Sequence, residues 1–71
     1  MAKRGVDTEL TERDIIIIQG LADGKNDNEI AQDLNLSLST VNAAFPKIMI
    51  KLGAKNRYNA LYLAVKRDII K

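Results

Sequence analysis

The chain has 71 residues, which is the size of one small domain. It has no cysteine and no histidine, which excludes disulfides, Cys/His zinc sites and histidine-based acid–base chemistry. Eleven basic residues stand against nine acidic ones, a net charge of +2. The longest apolar run, residues 15–18, is far shorter than the roughly 20 residues of a membrane span, and residues 1–7 lack the apolar core of a signal peptide.

The first predicted helix covers about residues 11–23. Thr11 can accept hydrogen bonds from the free N–H groups of its first turn, and Gly24 can end it in a left-handed conformation. Four consecutive isoleucines would ordinarily indicate a strand, but the caps and the length favour a helix. One stripe of this helix is predicted to face inward, and it consists of Ile15, Ile18 and Ala22, with Ile17 and Leu21 beside it.

The second predicted helix covers residues 27–34 and is separated from the third by a tight turn. Asn26 and Glu29 have the spacing of a capping box. After this helix, Asn35 tolerates the left-handed conformation, and Ser37 is placed to cap the next helix. Two short helices around such a turn form the frame of a helix-turn-helix.

The third predicted helix covers residues 38–52 and has two different faces. Its inward stripe has spacings of 4, 3 and 4, which place on one side Val41, Phe45, Ile48 and Leu52. The outward arc then holds Ser39, Thr40, Asn42, Ala43, Pro46, Lys47, Ile50 and Lys51. Because proline lacks an N–H and its ring crowds the preceding turn, Pro46 predicts a kink or a broken turn.

The fourth predicted helix covers about residues 56–68. Gly53 ends the third helix, and Asn56 can cap the fourth. The apolar side of this last helix is expected to carry Ala60, Leu61, Ala64 and Val65. The four helices together predict an all-α fold.

These residues resemble the LuxR/GerE-type helix-turn-helix domain, which is also the C-terminal domain of NarL/FixJ-type response regulators. The resemblance covers about sixty residues and is carried by "LTERD", "LADGKNDNEIAQDLNLSLSTV", "IMIKLG" and "NRYNALYLA". It implies a four-helix domain at residues 10–71, preceded by an N-terminal arm at residues 1–9. It also implies that the third helix enters the major groove of DNA and that the fourth mediates dimerisation.

The departures of the chain from the family pattern include three positions whose residues the family usually offers to phosphates and bases. Asn28 and Asn42 stand where the family usually has lysines, and Ala44 stands where it usually has a histidine. Two cations that the family offers to phosphates are therefore missing, which lowers the expected affinity for DNA.

Positive charge is concentrated in the C-terminal part of the chain. Residues 1–41 hold four cations and eight anions, a net charge of −4, whereas residues 42–71 hold seven cations and one anion, a net charge of +6. Such asymmetry indicates a side that faces a polyanion, although a solvated basic surface would give the same count.

Double-stranded DNA is the predicted partner, and the candidate DNA-binding residues lie on the third helix and just after it. Asn42 can read adenine, Ala43 can touch a thymine methyl, and hydroxyl groups suit phosphate oxygens. A row of cations could follow the phosphate backbone. The full set is Ser39, Thr40, Asn42, Ala43, Lys47, Lys51, Lys55 and Arg57. Arg13 is expected instead to pair with acidic residues of the first two helices.

The fourth helix is also predicted to form the interface of a homodimer. Small residues would let a twofold-related helix approach closely, although core packing alone could also explain this side. The predicted interface consists of Tyr58, Ala60, Leu61, Ala64 and Val65.

The predicted function is that of a sequence-specific DNA-binding transcriptional regulator. The alternative is a protein-interaction module derived from a helix-turn-helix, whose partner would contact the apolar strip Ala43, Pro46 and Ile50. An enzyme, a cofactor or a metal site is not expected, because no acidic pair has a nucleophile, metal-ligand spacing or glycine-rich phosphate loop beside it. We expect a cytoplasmic, nucleoid-associated protein without a membrane partner, and Met1 favours a natural N-terminus.

Overall fold

The computed structural model describes residues 10–71 and contains four α-helices in that range. They are α1 (Glu12–Ala22), α2 (Asp27–Leu34), α3 (Leu38–Leu52) and α4 (Arg57–Lys66). The all-α, four-helix prediction is confirmed, and the bounds of α2 and α3 are those predicted. The predicted arm at residues 1–9 lies outside the described residues. No helix within residues 10–71 has the length and apolarity needed to cross a membrane.

Each helix begins at the predicted cap. The side chains of Thr11, Asn26, Ser37 and Asn56 accept hydrogen bonds from backbone N–H groups three residues later. At α1 and α2 the cap is reciprocal, since the carboxylates of Asp14 and Glu29 accept from the backbone N–H of the cap residue. The start of every helix is therefore specified by its local sequence.

The turn between α2 and α3 is short because Asn35 takes the left-handed conformation, with φ 56°. The chain then bends back, and the N–H of Leu36 donates to the carbonyl of Ala31 at 2.9 Å. Ser37 immediately caps α3. This turn fixes α3 against α2 in helix-turn-helix fashion.

The predicted inward stripe of α1 is wrong at Ala22, which is exposed, and only partly correct at Ile15, which is half-buried. The side that faces the core is an i, i+3, i+4, i+7 set formed by Asp14, Ile17, Ile18 and Leu21. The last three residues of this set belong to the predicted stripe or lie beside it, and Asp14 was not expected there. Four consecutive isoleucines offer apolar side chains in every direction, so the contacts with α2 and α3 determine which of them are buried.

Gly20 of α1 packs against the side chain of Ile30 on α2. A Cβ atom built at this position would lie 2.9 Å from Cγ1 of Ile30 on α2. The absence of a side chain thus allows Ile30 to reach the core, where it is 2% exposed.

The predicted inward stripe of α3 is confirmed. Val41, Phe45, Ile48 and Leu52 are all at most 2% exposed. The broken turn predicted at Pro46 is wrong, since α3 continues as one helix of 15 residues; a kink of its axis stays a prediction. Pro46 is exposed, and buried Phe45 and Ile48 hold the turns on both sides, so packing preserves the helix although the carbonyl of Asn42 lacks its ordinary N–H donor.

The segment that follows α4 packs against the core. Asp68 takes a left-handed conformation with φ 59°, which ends the helix before the predicted residue 68. Ile70 is then buried, at 4% exposure, and the backbone of Lys71 exchanges two hydrogen bonds with the side chain of Gln19. The C-terminal segment thereby packs against α1.

Arg57 joins three helices at the start of α4. Its Nη1 and Nη2 atoms donate to the two carboxylate oxygens of Asp27 on α2, each at 2.9 Å. The guanidinium carbon lies 3.9 Å from the ring centroid of Phe45 on α3, which is the geometry of a cation–π contact. The bidentate pair fixes the guanidinium plane over the ring.

Replacing Arg57 with alanine should lower the free energy of unfolding by roughly 1–3 kcal/mol, because a bidentate ion pair and a cation–π contact are lost together. Arg57→Lys should recover only part of this, since an ammonium cannot bind both carboxylate oxygens in the fork geometry. Urea denaturation measures both. The matched control Arg67→Ala removes an exposed arginine, and an equal loss there would contradict the assigned role.

Candidate nucleic-acid interface

The outer side of α3 is uncovered by the rest of residues 10–71. Ser39, Asn42, Ala43, Pro46, Lys47 and Ile50 are exposed, and Thr40 and Lys51 are half-buried. Ile50 has 79% of its surface exposed. Since the opposite stripe is buried, α3 presents a continuous surface about four turns long to a partner.

Hydroxyl groups cluster at the N-terminus of α3. Oγ of Ser37 accepts from the N–H of Thr40 at 3.1 Å, and it also lies 2.8 Å from Oγ1 of Thr40 and 3.2 Å from Oγ of Ser39. Ser37 therefore acts mainly as a cap. Ser39 remains exposed, and its hydroxyl can turn toward an incoming acceptor.

Two of the four predicted phosphate-binding cations have partners inside the protein. Nζ of Lys51 donates to Oδ2 of Asp14 at 2.8 Å, and Arg57 is bound to Asp27. Lys47 and Lys55 are exposed, and neither forms an ion pair within residues 10–71. Of the predicted row, Lys47 and Lys55 are the cations most available to an external phosphate.

Asp14 was not among the predicted site residues, yet it controls the position of Lys51. Its side chain is 8% exposed and accepts from the Thr11 N–H as well as from Lys51. Burial raises the pKa of the Asp14 carboxyl, but the hydrogen bonds from Lys51 and Thr11 together bring this pKa below its usual value. In the sequence, Asp14 is distinguished only by its position three residues after the cap residue Thr11. This position predicts the hydrogen bond to Thr11 but not the ion pair with Lys51.

The prediction that Arg13 pairs with acidic residues of the first two helices is not met within residues 10–71. The ion pairs in that range are Lys25–Asp33, Lys51–Asp14 and Arg57–Asp27. Arg13 is exposed and points to the same side of the molecule as Lys47, where both line one hollow. Asp14, which lies one residue later, takes the inward position instead.

The predicted dimer surface on α4 is divided between the core and the outside. Ala60 and Ala64 are buried by their own chain, at 1% and 0% exposure, whereas Tyr58, Tyr62 and Val65 are at least half exposed. Leu61 lies between the two groups and is half-buried. Nζ of Lys66 lies 5.5 Å from the ring centroid of Tyr62. The available surface is therefore an apolar strip of Tyr58, Leu61, Tyr62 and Val65.

No three His, Cys, Asp or Glu side chains of residues 10–71 lie close enough together to hold a metal ion. The polar groups at the outer side of α3 are hydroxyls, amides and ammonium groups. Such groups bind anions and base edges.

Comparison with known proteins gives consistent matches. Residues 8–64 match the family described as bacterial regulatory proteins, luxR family (GerE). Transcriptional regulatory protein YdfI of Bacillus subtilis is 36% identical over 70 residues, which cover 99% of this chain and 33% of that protein.

Two further relatives match shorter stretches of the chain. Transcriptional regulatory protein DesR of Bacillus subtilis is 42% identical over 52 residues, 73% of this chain and 26% of DesR. Transcriptional activator protein PhzR of Pseudomonas fluorescens is 37% identical over 59 residues, 83% of this chain and 24% of PhzR. The chain thus spans between about a quarter and a third of the length of these relatives.

Replacing Asp14 with asparagine should destabilise the protein by about 1–3 kcal/mol at neutral pH, because Lys51 loses its carboxylate while the cap acceptor is retained. Since the pKa of Asp14 is lowered on folding, its contribution is fully present above the ordinary aspartate pKa and is lost as the pH falls through the lowered value. The free energies of unfolding of wild type and Asp14→Asn, measured by urea denaturation, should therefore converge as the pH falls below the lowered pKa of Asp14.

Asp33→Asn is the matched control, because it removes the carboxylate of an exposed pair with Lys25 and should lower the stability less than Asp14→Asn does. A difference between wild type and Asp14→Asn that does not change with pH would contradict a role for the ionised carboxylate.

Proposed function

The chain belongs to the luxR family of bacterial regulatory proteins, and from this we propose that it is a sequence-specific DNA-binding transcriptional regulator whose α3 enters the major groove. A family of regulatory proteins also agrees with the expectation that the chain is not an enzyme. The relatives are named as transcriptional regulatory or activator proteins. That this chain also regulates transcription is part of the proposal.

The observation that carries the proposal is the two-sided character of α3. One side is sealed in the core by Val41, Phe45 and Ile48, which fixes the helix, and the other side is open. The major groove of B-DNA is about 12 Å wide and accepts one α-helix with its side chains. A rigidly held helix with a free polar side meets this requirement.

The proposed roles follow the position of each side chain on α3. Asn42 and Ala43 would face base edges, with Asn42 suited to adenine and Ala43 to a thymine methyl. Ser39 and Thr40 would reach phosphate oxygens near the helix start, and Lys47 and Lys55 would hold the backbone. Lys51 and Arg57 take a smaller part in this proposal, because a phosphate has to compete with Asp14 and Asp27 for them.

A homodimer through α4 is the proposed form on DNA. The exposed strip of Tyr58, Leu61, Tyr62 and Val65 is apolar, and tyrosine is enriched at protein interfaces. Two protomers related by a twofold axis would place their α3 helices in successive major grooves and read two half-sites.

Selection of bound duplexes from a random DNA pool tests the main proposal. We expect the protein to bind any duplex at low salt, since phosphate contacts supply non-specific affinity, and to enrich one short motif as salt is raised. When the selection is repeated with Asn42→Ala, the preference for one base should be lost at one position of the motif. The lost contact should reduce the discrimination between bases there by roughly 1–3 kcal/mol. No binding to any duplex at low salt would overturn the proposal.

Val65→Glu should weaken binding of the second protomer to a selected two-site duplex roughly tenfold, because a buried valine contributes about 1.5 kcal/mol and a charge takes its place. Sedimentation of the protein with the duplex gives the stoichiometry and both binding constants. Ile16→Glu is the matched control, since Ile16 is similarly exposed but lies on α1. Equal effects of the two substitutions would argue against α4 as the interface.

A second candidate function is that of a protein-interaction module with weakened DNA binding. The high exposure of Ile50 favours it, because Ala43, Pro46 and Ile50 form an apolar strip along the outer side of α3. Such a strip is suited to a hydrophobic surface on a partner protein.

Ile50→Lys separates the two candidates. If α3 lies in the groove, the new ammonium should add one phosphate contact and strengthen binding to random duplex several-fold at low salt. Ile16→Lys adds the same charge on α1 and controls for net charge. Fluorescence anisotropy with labelled duplex measures both, and indistinguishable affinities would favour the protein-interaction candidate.

A further inference from the structure

An open hollow of about 510 Å³ lies between the N-terminus of α1 and the adjoining side of α3. Its walls carry three cationic side chains and three hydroxyl side chains, which are Arg13, Lys47, Lys51, Thr11, Ser39 and Thr40. Ala43 and Ala44 also line it on the α3 side, and their small side chains leave room above the helix. Most of the groups around this hollow can donate hydrogen bonds to an anion.

The hollow also contains one carboxylate, that of Asp14, but this group is occupied. Its oxygen Oδ2 accepts from Nζ of Lys51 at 2.8 Å and from the N–H of Thr11 at 3.1 Å. Asp14 therefore neutralises Lys51 and leaves Arg13 and Lys47 as the cations that face the open space. With three cations and one carboxylate, the walls hold two net positive charges.

The position of the hollow relates it to the proposed DNA surface. Ser39, Ala43 and Lys47 are spaced i, i+4 and i+8, so the hollow follows one flank of α3 for about two turns. When a helix lies in the major groove, the sugar–phosphate backbones pass along its flanks. A phosphate of the strand on this flank would lie next to α1.

We propose that this hollow seats a backbone phosphate of DNA, and that Arg13 of α1 binds it together with Lys47 of α3. The inference rests on the proposed function and adds a second helix to the DNA surface. The guanidinium of Arg13 can donate two N–H bonds to one phosphate, and the hydroxyls of Ser39 and Thr40 supply further donors.

A phosphate group reaches such a hollow either as part of DNA or as a free ion. The hollow is open, and all of its cations except Lys51 are exposed, so a free ion would gain little from dehydration there. A phosphate in a duplex is held in place by neighbouring contacts on α3, which lowers the cost of ordering it. DNA is therefore the assigned source.

The test compares salt dependence among variants, using a labelled duplex of random sequence and the whole 71-residue chain. Each phosphate contact contributes about 0.9 to the slope of log affinity against log salt, so its loss weakens binding roughly eightfold at about 0.1 M salt. Arg13→Ala and Lys47→Ala should each show this change. Arg13→Lys should keep the slope, because the charge remains.

Arg67→Ala is the matched control, since Arg67 is also an exposed arginine and does not line the hollow. Thermal unfolding of each variant establishes that the fold is intact before binding is compared. Equal slopes for Arg13→Ala and Arg67→Ala would overturn the inference while leaving the proposed function in place. Failure of the wild-type chain to bind any duplex at low salt would overturn both.

Inorganic phosphate separates the two sources of the ligand. Sodium phosphate should displace the duplex no better than sodium chloride of equal ionic strength, because DNA is the assigned ligand. Stronger displacement by phosphate that disappears in Arg13→Ala would assign the hollow to a small phosphate compound and would overturn the inference.

Discussion

The contact of Phe45 with the Arg57–Asp27 ion pair is the interaction on which the rest of the arrangement depends. Phe45 is 2% exposed, and the guanidinium 3.9 Å from its ring is held in turn by a carboxylate of α2. Through this contact the starts of α2 and α4 are tied to the middle of α3. The role proposed for α3 requires that its orientation be fixed before a partner is bound, and this contact supplies that rigidity.

A count of positive charges in the sequence overestimates the surface available to DNA. Lys51 and Arg57 look like members of a basic row, but each is bound to a carboxylate from the N-terminal half of the chain. Part of the charge asymmetry between the two halves is thus cancelled by ion pairs between them. The cations that remain accessible, such as Lys47 and Arg13, come from different helices and form a surface only in three dimensions.

How much could be predicted depends on the range of the interaction. Caps such as Thr11 and Asn26, the turn at Asn35 and the inward stripe through Val41 are encoded within a few residues, and all are confirmed. The buried side of α1 was predicted only in part, because its isoleucines carry no clear period. The pairing of Asp14 with Lys51 joins residues 37 positions apart, which a single sequence does not reveal.

The proline in α3 has a consequence for whatever molecule covers this helix. Because Pro46 has no N–H, the main-chain oxygen of Asn42 is without its ordinary partner, and in the isolated protein water can bond it. A tightly apposed surface that expels this water must offer a donor of its own, such as the exocyclic amine of a base, or leave a desolvated oxygen unsatisfied at a cost of about 1–3 kcal/mol. Since the acceptor belongs to the backbone, this demand persists whichever side chain occupies position 42, as long as the proline remains.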